Sequence, residues 1–216
     1  LLLLACQGFG AYALGFAEDT EPERARMFYL RGRDYGLRIL NKKNDFRKAL
    51  KGSTSKLESA MSTFDKDDIP ALFWTAYCWA GWINLNFTDP QALADLPRVQ
   101  HIMQRVIELD ESFFFGGAHL FFGTIYAARP AMLGGNIEKA NMHFQKCFEF
   151  SNEKFLLPYV YYAKYYASRT FDRELYEQTL KDVIDTPDDI FPEQNLPNAI
   201  AKQKARILLA QADDLF

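Results

Sequence analysis

The chain has 216 residues, 49% apolar and 25% charged, a composition that supports a sizeable folded core and excludes a disordered tail or a fibrous repeat. Its 25 Lys and Arg against 28 Asp and Glu give a net charge of −3, so nucleic acid is not an expected partner. Aromatic residues make up 15% of the chain, as 19 Phe, 11 Tyr and 3 Trp, and that excess of large apolar area has to be placed in a core or on a binding face.

In chain order, Leu1 to Ala17 is uncharged but is interrupted by Gln7, Gly8, Gly10 and Gly15, which falls short of a membrane span and predicts a core helix over Leu1 to Phe16. Leu2-Leu3-Leu4-Ala5-Cys6 has the look of a lipoprotein cleavage box, yet no basic segment precedes it. Thr20-Glu21-Pro22-Glu23 reads as a capping box with Pro in the first turn, opening a helix through Ala25, Tyr29 and Gly32 towards Leu40. Asn41 to Asp68, rich in Lys, Asp and Ser, predicts a long connection carrying one short helix around Phe46 to Leu50.

A second hairpin pairs Ala71–Asn84 with Pro97–Leu109 across Phe87-Thr88-Asp89-Pro90, where Asp89 can cap and Pro90 suits a first helical position. A third pairs Ala118–Ala128 with Ile137–Phe150; its connection runs from Arg129 through Gly134-Gly135 to Asn136, another cap candidate. A fourth pairs Leu157–Ser168 with Asp172–Ile184, and a closing helix runs from about Pro197 to Phe216.

The second helices share one spacing. Ala25, Tyr29 and Gly32, then Val99, Met103 and Val106, then Ala140, Phe144 and Cys147, then Tyr176, Leu180 and Val183 all stand at offsets of four and three, which is the second half of a tetratricopeptide repeat. Gly8 and Gly123 would take the close-packing position of the first helix, each 17 residues upstream of Ala25 and Ala140. The fold class is therefore all-α, with tetratricopeptide-like helical hairpins stacked as an α-solenoid and a C-terminal closing helix, over one domain spanning residues 1–216.

Catalytic and metal chemistry leave no trace. His101, His119 and His143 are the only histidines, and none has a partner at the spacing of HExxH. Leu133-Gly134-Gly135-Asn136 lacks the lysine and preceding strand of a phosphate loop. Cys6, Cys78 and Cys147 are too few and too widely spaced for a disulfide framework or zinc cluster and are expected to be free buried thiols. Asp182, Asp185, Asp188, Asp189 and Glu193 lack calcium-loop spacing. No enzyme, metal or cofactor is expected.

Aromatic placement is the sharper signal. Tyr159, Tyr162 and Tyr166 form one stripe of their helix while Tyr161 and Tyr165 form another, and Trp74, Trp79 and Trp82 point in different directions on theirs. Such helices are either buried on several faces or line a cavity. The cavity reading places Trp74, Tyr77, His119, Tyr126, Tyr161 and Tyr165 on the first helices of successive hairpins, enclosing an apolar ligand site.

Several stretches together resemble the TatT family, the tetratricopeptide-repeat accessory component of certain tripartite ATP-independent periplasmic (TRAP) transporters. They are Arg26 to Leu37 (RMFYLRGRDYGL), Pro70 to Trp74, Arg129 to Gly135 (RPAMLGG) followed by Lys139-Ala140 and Phe144, Asn198 to Arg206, and Asp213 to Phe216. The resemblance implies a non-catalytic periplasmic scaffold that binds the transporter's solute-binding protein, forms a homo-oligomer (a trimer), and passes a hydrophobic small molecule through an internal cavity. It adds Arg129, in the loop before Gly134-Gly135, to the candidate contact residues. It also implies that export signal, any lipid anchor and first helices would precede Leu1, the chain being an N-terminally truncated copy. The competing reading is a generic tetratricopeptide protein-protein interaction module.

Overall fold

Apolar residues at three- and four-residue spacing dictate helices throughout, and the computed structural model, which describes all 216 residues, is 79% helical with no strand. The expected all-α hairpin repeat is what forms. Packing divides the chain into two units, Leu1–Phe113 and Phe114–Phe216. No helix is long and apolar enough to cross a membrane.

In the first unit, α1 (Leu2–Tyr12) runs into a π-helical turn over Ala13–Ala17 before α2 (Pro22–Leu40). The expected capping box at Thr20 does not form. Thr20 and Glu21 both donate their N–H groups to the Ala17 carbonyl (3.3 and 2.7 Å), so they belong to the turn. Glu21 becomes the N-cap without a side-chain cap bond, its carboxylate lying 3.1 Å from Arg24 instead.

The connection after α2 holds two short helices rather than the one expected, α3 (Asn44–Ala49) and α4 (Thr54–Met61). Their burial explains both. Phe46 is fully buried and meets Phe64 edge-on at 5.4 Å, while Leu57, Ala60 and Met61 give α4 an apolar stripe amid Ser and Lys. α5 (Ile69–Leu85) follows, then a short α6 (Pro90–Ala94) whose N-terminus is capped as expected, Asp89 Oδ1 accepting the Gln91 N–H at 2.8 Å. α7 (Leu96–Asp110) completes the unit, packing on α4 and α5, while α2 packs between α1 and α5.

The second unit opens one residue into α8 (Phe113–Ala128), where Phe114, Phe115 and Gly116 are left-handed at φ 49°, 57° and 71°. Side chains resist this conformation, and packing holds it: Phe115 lies 5.0 Å from Phe155 and 5.2 Å from Phe191 between ring centroids. After a 3-10 turn at Ala131–Leu133, Asn136 Oδ1 accepts the Lys139 N–H at 2.7 Å and opens α9 (Ile137–Phe150). α10 (Leu157–Tyr161) continues into a π-helical stretch over Tyr162–Ala167, and Asp172 caps α11 (Arg173–Asp185). The closing helix starts earlier than expected and breaks near its end, as α12 (Asn195–Ala210) and α13 (Ala212–Leu215). Asn198 fastens α12 to the segment before α10, accepting the Leu156 N–H and donating to the Lys154 carbonyl, both at 2.9 Å.

The repeat spacing reads out as core. Ala25, Tyr29, Val99, Met103, Val106, Ala140, Phe144, Cys147, Tyr176, Leu180 and Val183 are all at most 2% exposed. Gly123 packs as expected, 3.2 Å from the Phe144 ring by its missing Cβ. Gly8 does not: no atom lies within 4 Å of its Cβ position, and the close approach falls to Gly10, against Tyr77 and Cys78 of α5.

The two loop glycines have different grounds. Gly134 sits at φ 87°, whereas a Cβ on Gly135 would lie 1.9 Å from the Arg129 carbonyl oxygen. Gly135→Val should therefore lower the melting temperature by more than Gly134→Ala, whose cost is the left-handed penalty of about 1–2 kcal/mol. Equal small shifts in paired thermal melts would contradict this.

Candidate functional site

Trp74 and Tyr77 belong to the first unit. Trp74 is 8% exposed and its ring stands 5.1 Å from Phe73 and 5.2 Å from Tyr77, both edge-on. Tyr77 also meets Tyr29 at 6.4 Å, and burial, followed by the charge of Glu18, pushes its phenol well above the ordinary range. α5 is buried over Ala71–Ala76 without a break, so its aromatics fill several faces of one core. Arg33 lies over two further indoles, 5.5 Å from the ring of Trp79 and 5.7 Å from that of Trp82.

His119, Tyr126, Arg129, Tyr161 and Tyr165 lie in the second unit. Tyr126, Tyr161 and Tyr165 pack, half-buried, against one core formed by Ala127, Ala140, Phe144 and Phe148. Tyr161 and Tyr165 sit side by side at 5.7 Å, with the Lys164 ammonium 5.3 Å from the Tyr165 ring. The other stripe of the same helix is tighter: Tyr159 stacks on Phe148 at 4.0 Å and Tyr162 on Tyr166 at 4.6 Å. Burial raises the Tyr159 and Tyr162 phenols to about 12, so both are neutral donors at physiological pH. The Arg129 guanidinium is partly desolvated, which lowers its pKa.

His119 was a candidate from the sequence, but its pairing with His143 was not legible there. His119 Nδ1 and His143 Nδ1 are 2.8 Å apart, a contact that requires one ring to donate and the other to accept. His143 lies parallel to Phe122 at 5.5 Å and to Tyr126 at 5.6 Å, and Lys139 stands over Tyr126 at 5.6 Å. Desolvation first, then the nearby charges of His119 and Lys139, lower the His143 pKa from 6.5 to about 4. His143 is thus held as a neutral imidazole, hydrogen-bonded to His119 beside the rings of Phe122 and Tyr126, an arrangement that can orient an apolar molecule bearing one polar group.

This fixes a pH dependence. Below pH 6.5 the unfolded chain takes up a proton that folded His143 refuses down to about pH 4. The contribution is complete above pH 6.5 and is lost as pH falls to 4, on the order of 1–2 kcal/mol after allowance for partial exposure. Melts from pH 7.5 to 4.5 should show a steeper acid-side loss for the wild type than for His143→Gln. Parallel curves would contradict the pair.

Two open grooves, of about 400 and 660 Å³, lie on the first unit, beside Arg24, Met27 and Phe28 and beside Lys48, Ser55 and Ser59. None of the seven sequence candidates lines either one.

Two comparisons bear on this geometry. The model of the TRAP transporter T-component family matches residues 1–216. An uncharacterized protein of Treponema pallidum (strain Nichols) is 24% identical over 206 residues, covering 93% of this chain and 62% of that relative. The chain thus spans less than two thirds of its relative's length.

Proposed function

Given that the chain belongs to the T-component family of TRAP transporters, and so to their accessory subunits, we propose that it is a non-catalytic periplasmic scaffold that binds the transporter's solute-binding subunit. The family match over the whole chain carries this reading. The second unit supports it with aromatic area on the rim of its core, where Tyr126, Tyr161 and Tyr165 are only half-buried, the kind of surface that suits a partner or an apolar solute. The neutral His143 imidazole, paired with His119 among aromatics, suits contact with an apolar solute bearing one polar group. Assembly as a homo-oligomer and lipid anchoring through a preceding segment belong to the same reading.

A generic peptide-binding repeat would hold peptide backbone or carboxylate with polar and basic side chains; here the ammonium groups of Lys139 and Lys164 stand over the rings of Tyr126 and Tyr165, at 5.6 and 5.3 Å. Affinity purification of the tagged chain from a periplasmic extract, in salt and detergent that keep transporter assemblies intact, should recover a TRAP solute-binding subunit. Recovery of unrelated proteins carrying a common peptide motif would favour the generic module instead.

A further inference from the structure

Cys6 of α1 and Cys78 of α5, 72 residues apart in sequence, meet with their sulfurs 4.0 Å from each other, and both are fully buried. The Cys78 thiol also donates to the Cys6 carbonyl at 3.4 Å. The site is shaped around sulfur: an added Cβ on Gly10 or Gly32 would lie 2.8 or 2.6 Å from Cys78 Sγ. Two helices thus give up side chains to let this thiol approach α1. Cys147 is in the other unit, with its thiol directed at the Gly116 and His143 carbonyls at 3.3 and 3.4 Å.

We propose that Cys6 and Cys78 are a covalent modification site, an intrachain disulfide that staples α1 to α5. About 2 Å separates the present contact from a disulfide bond length of about 2.05 Å, a gap to be closed by rotation about the Cα–Cβ bonds, which swings each sulfur, together with a small approach of α1 and α5. The oxidant is a disulfide, such as oxidised glutathione or a thiol–disulfide oxidase of an oxidising compartment. One cysteine thiolate attacks it, forming a mixed disulfide and expelling one thiol; the second thiolate displaces the other. Two cysteine S–H bonds and the oxidant's S–S bond are lost, one protein S–S and two oxidant S–H bonds are gained, and two electrons pass from the cysteines to the oxidant. Because both sulfurs are buried, the exchange belongs to folding or to local opening of the α1–α2 hairpin.

The test is to refold the reduced full chain in a glutathione redox buffer, then map its disulfides by digestion and mass spectrometry without reduction. The expected product links Cys6 to Cys78, leaves Cys147 free, keeps the native helical circular dichroism, and forms equally in Cys147→Ser. Closing so long a loop should raise the melting temperature by about 5–15 °C over the reduced form, and the increment should vanish with reductant and in Cys6→Ala. Cys6 and Cys78 remaining reduced, pairing with Cys147, or linking only in a product that has lost native helicity would each overturn the proposal; the wild-type map decides even where a cysteine variant fails to fold.

Discussion

Phe144→Ala should destabilise the protein by about 3–5 kcal/mol, the range for deleting a large aromatic from a packed interior, and should lower the melting temperature by about 6–20 °C for a chain of this size. Phe144 is fully buried at the centre of the second unit. Its ring lies against the bare backbone of Gly123 and meets Tyr162 edge-on at 5.4 Å, so no neighbour can collapse into the space it leaves. Tyr165→Ala provides the contrast, because that ring packs on the rim of the same core and is only half-buried. Its loss should cost on the order of 1 kcal/mol. A difference of this size in chemical-denaturation midpoints would separate core aromatics from surface available for binding; similar losses at both positions would make Tyr165 a core residue.

Gly36→Val should destabilise the first unit by overpacking the α2–α5 contact. A Cβ at Gly36 would lie 2.0 Å from Oγ1, 2.8 Å from Cβ and 3.1 Å from Cα of Thr75. Thr75 is fully buried on α5, its hydroxyl donating to the Ala71 carbonyl at 2.6 Å, so no exposed rotamer relieves the overlap and α2 and α5 must move apart. Overpacking of this kind costs about 1–3 kcal/mol and at times more; the gain of up to about 1 kcal/mol from replacing a helical glycine does not offset it. Gly8→Ala isolates that gain, since open space surrounds the Gly8 Cβ position. The two substitutions should shift the urea midpoint in opposite directions. A stabilised Gly36 variant would mean that α2 and α5 are packed more loosely than described.

What the sequence disclosed and what it hid follow from the range of the forces involved. Caps and spacings act over four residues or fewer, so Asp89, Asn136 and the four apolar triplets were readable, and all proved to be caps or core. The helix at Thr54–Met61 escaped because its apolar stripe, Leu57, Ala60 and Met61, is only three residues wide among Ser and Lys. The π-helical turns carry no local residue signal, and the left-handed Phe114-Phe115 runs against aromatic preference because Phe155 and Phe191 hold it from a distance. Pairings such as His119 with His143 and Cys6 with Cys78 depend on helix register across 24 and 72 residues. Of the candidate residues, the tyrosines stand out by their stripes; the pairing of His119 with His143 beside Tyr126 does not.

Direct titration of the purified chain with the solute-binding subunit of a TRAP transporter encoded beside it, followed by isothermal calorimetry, tests the proposed scaffold role most directly. The account predicts saturable binding by the wild type and weaker binding by a Tyr161→Ala, Tyr165→Ala variant that keeps its circular dichroism and most of its stability. Absence of binding by the folded wild type, with the solute-binding subunit shown to be competent for its own ligand, would contradict it.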